Sequence, residues 1–334
     1  MENKVFKALV VNAEQGKIRR EISKKSVEEL PAGEVLIRVR YSSLNYKDAL
    51  SANGHRGITK SYPHTPGIDA AGEVANSGSS AFRKGQAVLV TGYDLGMNTP
   101  GGFGQYIRVP GDWVVALPGN LTPRISMMYG TAGFTAALAL HEIRFHKILP
   151  EEGPVLITGA SGGLGSLAVA LFSQQGYRVF ALTGKPQAES LLKRLGAAEV
   201  VGREFLLGEE NRPLTERRWC AAVDTVGGEL LSRILASTDY FGCVACCGNA
   251  GSYELNTTVY PFILRGIRLI GIDSAHCPMP LRRQIWRNLA SEWRISDKIL
   301  SAIAEECSLY ELNGEIEKIL AGKQVGRKLI NLDA

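Results

Sequence analysis

The chain has 334 residues, of which 45% are hydrophobic and 21% charged, which is typical of a globular protein of about two domains. Its formal net charge of +5 comes without a long Lys/Arg tract or a basic stripe with interleaved aromatics, so nucleic acid is not an expected partner. No run approaches the ~20 apolar residues that a membrane-spanning helix needs, so we expect no membrane association.

The N-terminus and the cysteines indicate a cytoplasmic protein. The first residues lack a basic block followed by an apolar block and a cleavage site, so we expect no secretory signal. The six cysteines are few for this length, and most lie in apolar segments, which favours reduced, buried thiols over a disulfide framework.

From Val5 to about Pro118 the sequence predicts short antiparallel strands in a barrel-like arrangement. Runs rich in β-forming residues, such as Val35–Tyr41 and Gln86–Thr91, are separated by Gly, Pro, Asn and Ser. This is the pattern of an all-β domain.

A different pattern begins after Pro123. Ser126 is a candidate N-cap for an Ala-rich helix that continues to Leu140. Beyond this helix, apolar strands alternate with helices at βαβ spacing, which predicts a parallel sheet covered on both faces. The predicted parallel strands are Val155–Thr158, Arg178–Leu182, Val200–Val201, Ala221–Val223, Cys243–Cys247 and Leu269–Ile272.

The C-terminal part predicts two helices, a shorter helix and a closing strand, in the order Leu281–Glu292, Asp297–Glu306, Glu315–Leu320 and Arg327–Leu332. The closing strand resembles the strands of the first part, so we expect the chain to return there. The predicted fold class is α/β, with a β-barrel domain of residues 1–124 and 275–334 and a doubly wound parallel-sheet domain of residues 125–274.

The most informative segment is the glycine-rich turn after Val155–Thr158. The turn contains Gly159, Ser161, Gly162, Gly163, Leu164 and Gly165 and leads into a helix. Gly162 and Gly163 lack the Cβ that would keep a diphosphate away, and a helix start offers unpaired N–H groups and the positive end of its dipole. Gly165 allows the helix to pack closely on the strand. This context predicts a dinucleotide site, and the alternative is a plain tight turn between strand and helix.

The end of the next strand predicts which dinucleotide is bound. NAD sites usually carry an acidic residue there, but this chain has Thr183, Gly184 and Lys185. A hydroxyl and a cation can bind the 2′-phosphate of NADPH, whereas a carboxylate would repel it. We therefore predict NADPH as the cofactor. The alternative is that Lys185 is a solvated loop charge.

Two patterns suggest metal or redox sites but favour structural explanations. Cys243–Cys247 contains C-x-x-C, yet it lies in an apolar run that predicts a buried strand, where alternate side chains face opposite ways. His141 and His146 are five positions apart and do not share a helix face, so we interpret them as a helix end and its neighbouring loop.

Five ordered blocks resemble the medium-chain dehydrogenase/reductase superfamily, and within it the zinc-free quinone oxidoreductase group with the acrylyl-CoA reductase (YhdH-type) family. These blocks span essentially the whole chain and are Ser42–Ala49, Pro66–Gly72, Gly159–Gly165, Asp224–Gly228 and Thr258–Arg265. The resemblance implies a GroES-like barrel domain formed by both chain ends and a Rossmann domain between them.

The resemblance also implies that no metal is bound. Zinc-dependent relatives carry a Cys in the region matching Ser43–Asp48 and Gly-His-Glu where this chain has Gly67-Ile68-Asp69. The segment between Val90 and Pro110 contains no Cys, so the structural zinc lobe is missing as well.

In the resembling family, the corner formed by Asn45 and Tyr46 faces the nicotinamide. Tyr46 is therefore the first candidate for contacting the cofactor or polarising an enolate, with Asn45 and Asp48 supporting the geometry. The alternative is that Asn45 and Asp48 only cap the following helix. Matching by position also suggests NADPH contacts for Thr225, Leu269 and Arg327, although an arginine in a terminal strand is often solvated.

The resemblance implies an NADPH-dependent reductase of activated C=C bonds in a homodimer. Acrylyl-CoA is the expected substrate. A quinone or a 2-alkenal reductase is the alternative within this class, and a non-catalytic NADPH sensor or RNA-binding module is the alternative outside it. Several C-terminal arginines either receive the phosphates of a CoA thioester or form a solvated face: Arg265, Arg268, Arg282, Arg283, Arg287 and Arg294.

Overall fold

The computed structural model of the protein describes residues 4–14, 16–208 and 212–334. The chain divides into two units. The first unit comprises the residues up to Thr131 together with Ala275–Ser291 and Ala304–Ala334, and the second unit comprises Ala132–Ser274 and Glu292–Ile303. Among the described residues, no helix combines the length and the apolar character needed to cross a bilayer.

The strands range from two to ten residues, and the helices are mostly of two or three turns. In chain order the strands are β1 (Val5–Glu14), β2 (Lys17–Ser26), β3 (Val35–Leu44), β4 (Asp69–Ser77), β5 (Ala87–Thr91), β6 (Tyr106–Val109), β7 (Val115–Ala116), β8 (Val155–Ile157), β9 (Val179–Leu182), β10 (Glu199–Val201), β11 (Trp219–Asp224), β12 (Thr238–Cys246), β13 (Arg268–Gly271), β14 (Ala304–Ser308) and β15 (Arg327–Asn331). The α-helices are α1 (Tyr46–Ala52), α2 (Pro123–Phe145), α3 (Gly163–Gln174), α4 (Glu189–Arg194), α5 (Glu204–Leu207), α6 (Gly228–Ser237), α7 (Tyr260–Arg265), α8 (Met279–Leu289), α9 (Asp297–Ile303) and α10 (Leu312–Leu320).

The first unit is built mainly on antiparallel strands, with one parallel pair, β14 with β15. β1 and β2 form a hairpin, and the remaining strands form a sheet in the order β14, β15, β3, β4, β5, β7, with β6 also paired to β3. Alternate side chains of β3, namely Val35, Ile37 and Val39, are buried in its core, as a strand with one face inward requires. The antiparallel pattern predicted for the first part of the chain is confirmed, and the closing strand β15 pairs with β3.

The second unit contains a parallel sheet in the order β10, β9, β8, β11, β12, β13. Each predicted parallel strand is present, and the described pairings are parallel. The chain runs outward from β8 to β10 on one side and from β11 to β13 on the other. The topological switch point therefore lies between β8 and β11, where doubly wound sheets bind their ligands. The α/β fold class is confirmed.

The predicted helix Leu281–Glu292 is Met279–Leu289 in the structure, and the predicted helix Glu315–Leu320 begins earlier, at Leu312. Two other predicted helices differ for a clear physical reason. The first begins at Pro123 rather than after Ser126, because the Thr122 hydroxyl accepts from the Ile125 N–H at 3.2 Å, while the Ser126 hydroxyl donates to the Pro123 carbonyl inside the first turn. The second was predicted as Asp297–Glu306 but ends at Ile303, and the chain then forms β14. Pairing of β14 with β15 outweighs the local helical pattern.

The two units also differ in extent from the predicted domains. α9 belongs to the second unit, where it packs on α3, although the sequence prediction placed this segment with the C-terminal part of the barrel domain. α9 of the second unit is followed directly by β14 of the first unit, with no change in composition between them. Nothing in the sequence therefore marks this second passage of the chain from one unit to the other. The predicted division at residues 124 and 275 stays a prediction.

Candidate cofactor and active site

The glycine turn lies at the switch point of the parallel sheet, between β8 and α3. Its backbone is tight: the Gly162 N–H donates to the Gly159 carbonyl at 2.9 Å, and Gly159 has a φ of +56°. A Cβ on Gly159 would overlap the Thr225 hydroxyl, and a Cβ on Gly165 would lie 2.7 Å from the Ala160 Cα. These two glycines are therefore required by packing, as a plain turn would also require.

Gly162, between them, is less tightly packed: a Cβ there would lie 3.3 Å from the Gly159 carbonyl oxygen. Gly162, Gly163 and Leu164 are partly exposed, and Gly162 is the N-cap of α3 without a side-chain cap. The first N–H groups of a helix have no partner within the helix, and they attract anions. The turn thus presents backbone donors where a diphosphate can approach, which fits a dinucleotide.

The segment after β9 forms a second polar site beside the turn. The Ser161 and Thr183 hydroxyls lie 2.8 Å apart, and the Lys185 N–H donates to the Thr183 hydroxyl at 3.1 Å. Burial and the nearby charge of Arg203 lower the pKa of Lys185. A Cβ on Gly184 would lie 3.0 Å from the Arg203 Nε. Two cations therefore flank Gly184, and Lys185 is half-buried rather than a fully solvated loop charge.

Thr225 directly follows β11, and Leu269 is the second residue of β13; both have clear structural roles. The Thr225 hydroxyl donates to the Thr158 carbonyl at 3.0 Å, and the Thr225 N–H donates to the Thr158 hydroxyl at 3.0 Å. Leu269 lies on β13 opposite Val244 and packs partly into the apolar core of the second unit. Contacts of these two residues with a cofactor stay predictions.

The Asn45–Tyr46 corner joins β3 to α1 in the first unit. Asn45 is the extended N-cap residue, and Tyr46 begins the helix with 46% of its surface exposed. Asp48 is fully buried, and its carboxylate accepts from the Asn45 N–H at 2.8 Å and from the Ile68 N–H at 2.8 Å. Asp48 therefore caps the helix from within and also ties it to the start of β4.

A buried ion pair that the sequence analysis missed lies directly behind this corner. Asp69, fully buried, accepts from the Ser43 hydroxyl at 2.6 Å and from the Thr131 hydroxyl at 2.6 Å. The Arg327 guanidinium lies 3.7 Å from the Asp69 carboxylate and is 3% exposed. The solvated alternative for Arg327 is therefore wrong, because burial of its charge is balanced by Asp69.

Burial raises the pKa of Asp48 to about 7, and the charge of Asp69 is the second cause of this shift. A raised pKa means that the folded protein binds this proton more tightly than the unfolded chain does. The stability that the folded protein gains by binding this proton is therefore fully present below about pH 4 and is lost as the pH rises to about 7. Asp69 and Arg327 are the other charged groups facing Asp48.

We expect the free energy of unfolding of the wild type to fall by a few kcal/mol between pH 5 and pH 8 relative to Asp48→Asn, which cannot titrate. Urea unfolding at several pH values measures this difference. A difference that stays constant over this range would show that Asp48 does not exchange its proton there.

The C-terminal arginines do not form one solvated face, so that alternative is wrong for several of them. Arg282 is buried, donates to the Thr91 carbonyl at 2.7 Å and lies over the Tyr93 ring. Arg265 donates to backbone carbonyls, Arg268 donates to the Phe241 carbonyl, and Arg294 pairs with Asp297. Of the six, Arg283 and Arg287 are exposed on α8.

The C-x-x-C pattern lies in a buried strand, as predicted. Cys243 is buried in β12, and burial raises its pKa to about 12, which keeps the thiol protonated. His141 lies within α2, which ends at Phe145, so His146 follows the helix as predicted.

The residues at the corner do not fit a zinc ion. The Asp69 oxygens are already occupied by N–H and O–H donors, a guanidinium lies beside them, and Ile68 offers no ligand atom. Across the part of the chain that the structure describes, no group of three or more His, Cys, Asp or Glu side chains could hold a metal ion.

Comparison with known proteins identifies both units. The family described as "Alcohol dehydrogenase GroES-like domain" matches residues 31–119, and the family described as "Zinc-binding dehydrogenase" matches residues 163–292. The chain is 41% identical to "Acrylyl-CoA reductase AcuI" of Ruegeria pomeroyi, over 99% of this chain and 100% of that protein. It is 42% identical to "Putative quinone oxidoreductase YhfP" of Bacillus subtilis, over 98% and 99%.

Solved structures agree with these relatives. The crystal structure of the Salmonella enterica yhdH oxidoreductase in complex with NADP has a TM-score of 0.94 and 42% identity, covering 97% of this chain and 99% of that one. The structure of Bacillus subtilis yhfP with NAD bound has a TM-score of 0.95 and 42% identity, covering 98% and 99%. The chain belongs to the medium-chain dehydrogenase/reductase superfamily, in the group of oxidoreductases that contains the acrylyl-CoA reductases and the YhdH-type proteins.

Proposed function

We propose that this protein is an NADPH-dependent, zinc-free reductase that reduces the C=C bond of acrylyl-CoA to give propionyl-CoA. The observation that carries the proposal is the glycine turn at the switch point with two cations beside Gly184. The relatives named acrylyl-CoA reductase and the solved relative with bound NADP support it.

The proposed cofactor site has two recognition elements. The N–H groups of the turn bind the diphosphate, and Thr183, Lys185 and Arg203 bind the 2′-phosphate through charge-assisted hydrogen bonds. The residues proposed to hold NADPH are Tyr46, Gly159, Ser161, Gly162, Gly163, Leu164, Thr183, Gly184, Lys185, Thr225 and Leu269, to which the structure adds Arg203. Arg327 is no longer proposed as a cofactor contact, because its guanidinium is 3% exposed and bonded to Ser43 and Asn45.

NADPH, when bound, supplies a hydride. The chain's own contribution is to stabilise the negative charge that grows on the carbonyl oxygen of the thioester as the β-carbon is reduced. The Tyr46 hydroxyl is the proposed donor to this oxygen, because its side chain is exposed while Asp48 is buried behind it. Tyr46 or water then supplies the final proton.

The substrate is decided by one assay. We expect loss of NADPH absorbance with acrylyl-CoA. The same assay with a simple quinone, which the name of the Bacillus relative supports, and with a short 2-alkenal separates the alternatives. Calorimetry with NADPH accompanies it. Binding without turnover of any acceptor would favour a non-catalytic NADPH-binding module, and no binding at all would contradict the proposal.

Replacing Lys185 or Arg203 by alanine is expected to raise the KM for NADPH about 10- to 100-fold and to change the KM for NADH much less. Each side chain offers a charge-assisted hydrogen bond of about 1.5–3 kcal/mol to a phosphate that NADH lacks. Steady-state kinetics with both cofactors measure the ratio. Lys193→Ala, an exposed lysine of α4 bonded to the Ala198 carbonyl, is the control. An equal change for both cofactors would contradict this role.

We also propose a homodimer formed at the β13 edge of the parallel sheet. β13 is a terminal strand of the sheet, so one edge of its backbone is available for pairing. Exposed apolar side chains lie on and near α7, which precedes it: Phe241, Val259, Tyr260, Ile263 and Leu264.

The six cysteines are free thiols, which supports the proposed cytoplasmic location.

Ile263→Asp is expected to shift the protein from dimer to monomer at micromolar concentration, because a charge would be buried in the apolar interface. Light scattering after size exclusion measures the mass. Phe145→Asp is the matched control, since both side chains are 68% exposed in the second unit but Phe145 lies at the end of α2. An unchanged mass for Ile263→Asp would place the interface elsewhere.

A further inference from the structure

The carboxamide of Asn45 is held at both ends. Its Nδ2 donates to Asp69 at 2.8 Å and to Asp48 at 3.1 Å, and its Oδ1 accepts from the Arg327 Nη1 at 2.9 Å. A flipped amide would direct its oxygen at two carboxylates and its N–H groups at a guanidinium. The orientation of Asn45 is therefore fixed, and both amide hydrogens are used within the protein.

The charges that hold Asn45 are themselves linked through one hydroxyl. Ser43 donates to the Asp69 carboxylate at 2.6 Å and accepts from the Arg327 Nη2 at 2.6 Å. The Arg327–Ser43–Asp69 bridge joins the end of β3 to the starts of β4 and β15. Gly130 lies at the kink of α2. A Cβ there would lie 2.5 Å from both the Arg327 Nη2 and the Asp69 Oδ2, so the absence of a side chain at this position leaves room for the bridge.

Stability alone is a poor explanation for this arrangement. Burying an ion pair removes two charges from water, and apolar side chains of similar volume usually stabilise a core as well or better. The Arg327 Nε is buried without a hydrogen-bond partner among the described residues, which adds a further penalty. What the bridge provides, and apolar side chains would not, is a fixed direction for the amide of Asn45.

We propose that Ser43, Asp69 and Arg327 are positioning residues, which fix Asn45 and thereby set the place of the neighbouring Tyr46 phenol. This inference rests on the proposed function of Tyr46 as the donor to the substrate oxygen. Asn45 is the N-cap of α1 and Tyr46 is its first residue, so the backbone that the bridge holds is the backbone that directs the phenol. The three positioning residues act through Asn45 and Tyr46 and do not touch the substrate.

Ser43→Ala tests the proposal, since it removes the linking hydroxyl and little volume. We expect kcat with acrylyl-CoA to fall about tenfold while the Kd for NADPH stays within twofold. In a Tyr46→Phe background the same substitution is expected to lower kcat less than twofold, because the group being positioned is gone. Equal losses in both backgrounds would overturn the proposal, since a purely structural defect is additive.

Amide hydrogen exchange gives a readout that does not need catalysis. We expect faster exchange in the peptide containing α1 in Ser43→Ala and in Arg327→Lys, which keeps the charge but loses the two-pronged contact with Ser43 and Asn45. Ser42→Ala is the matched control: Ser42 is equally buried on β3, but its hydroxyl donates to the Asp69 backbone carbonyl.

Unchanged exchange in α1 for both variants would also overturn the positioning role. If the wild type oxidises NADPH with none of the acceptors, the proposed function fails, and the exchange measurement still decides whether the bridge holds the corner.

Discussion

Replacing Gly165 by alanine is expected to lower the free energy of unfolding by about 3 kcal/mol and to weaken NADPH binding at least tenfold. The new methyl group would overlap the Gly159 carbonyl and lie 2.7 Å from the Ala160 Cα, and backbone atoms cannot move aside as a side chain can. Overpacking of a well-packed site typically destabilises by 1–3 kcal/mol or more. The turn that must shift is the one proposed to hold the diphosphate.

Gly314→Ala is the matched control for this prediction. Gly314 lies in α10, and a Cβ there would meet nothing within 4 Å. Alanine is favoured over glycine in a helix by up to about 1 kcal/mol, so this variant is expected to be as stable as the wild type or more so. Denaturant unfolding and NADPH calorimetry measure both variants. An alanine tolerated equally well at both positions would show that close packing at Gly165 is unimportant.

The two cation positions beside Gly184 show what local sequence can and cannot predict. Thr183 and Lys185 follow β9 directly, so the pattern of a strand and its next turn was enough to select them. Arg203 follows β10, the neighbouring strand in the sheet. Its approach to Gly184 depends on strand order, which the sequence analysis did not establish, so no local signal singled it out.

The corner shows the same limit more strongly. Asn45, Tyr46 and Asp48 form a short motif at a strand-to-helix junction, and sequence alone located them. The contact of Asn45 with Arg327 joins residues 282 positions apart in the chain. Asp69 was noted only where zinc-dependent relatives carry another residue, because hydrogen bonds between distant strands leave no periodic pattern. One signal was available: two acidic residues beside apolar residues need a buried cation, and Arg327 begins the closing strand that was expected to return to this domain.

The prediction of Asp297–Glu306 as one helix was wrong for a related reason. Ala304 and Cys307 are buried while Glu305 and Glu306 between them are exposed, a spacing that suits the face of a helix as well as an irregular strand. Only pairing with the edge of β15 decides between a helix and a strand in this segment. Parallel pairing with β15 satisfies the backbone groups of this segment, and this is a contact between elements rather than a property of the segment.

Tyr46→Phe is expected to lower kcat with acrylyl-CoA about 10²- to 10³-fold. This is the usual loss when one donor to a developing oxyanion is removed, and it assumes that the phenol donates directly to the thioester oxygen. The ring is retained, so packing at the start of α1 and the Kd for NADPH are expected to change little. Stopped-flow measurement of NADPH oxidation under single-turnover conditions isolates the chemical step from product release.

Asn45→Ser separates the two roles assigned to the corner. Both amide hydrogens of Asn45 are used by carboxylates and backbone, so its loss should act only by releasing Tyr46. We therefore expect Asn45→Ser to lower kcat less than Tyr46→Phe does, and the double variant to be no slower than Tyr46→Phe alone. A double variant slower by the product of the two effects would show that Asn45 contacts the substrate itself. Full activity of Tyr46→Phe would instead show that another group donates to the oxyanion, and the phenol would then only contact the cofactor.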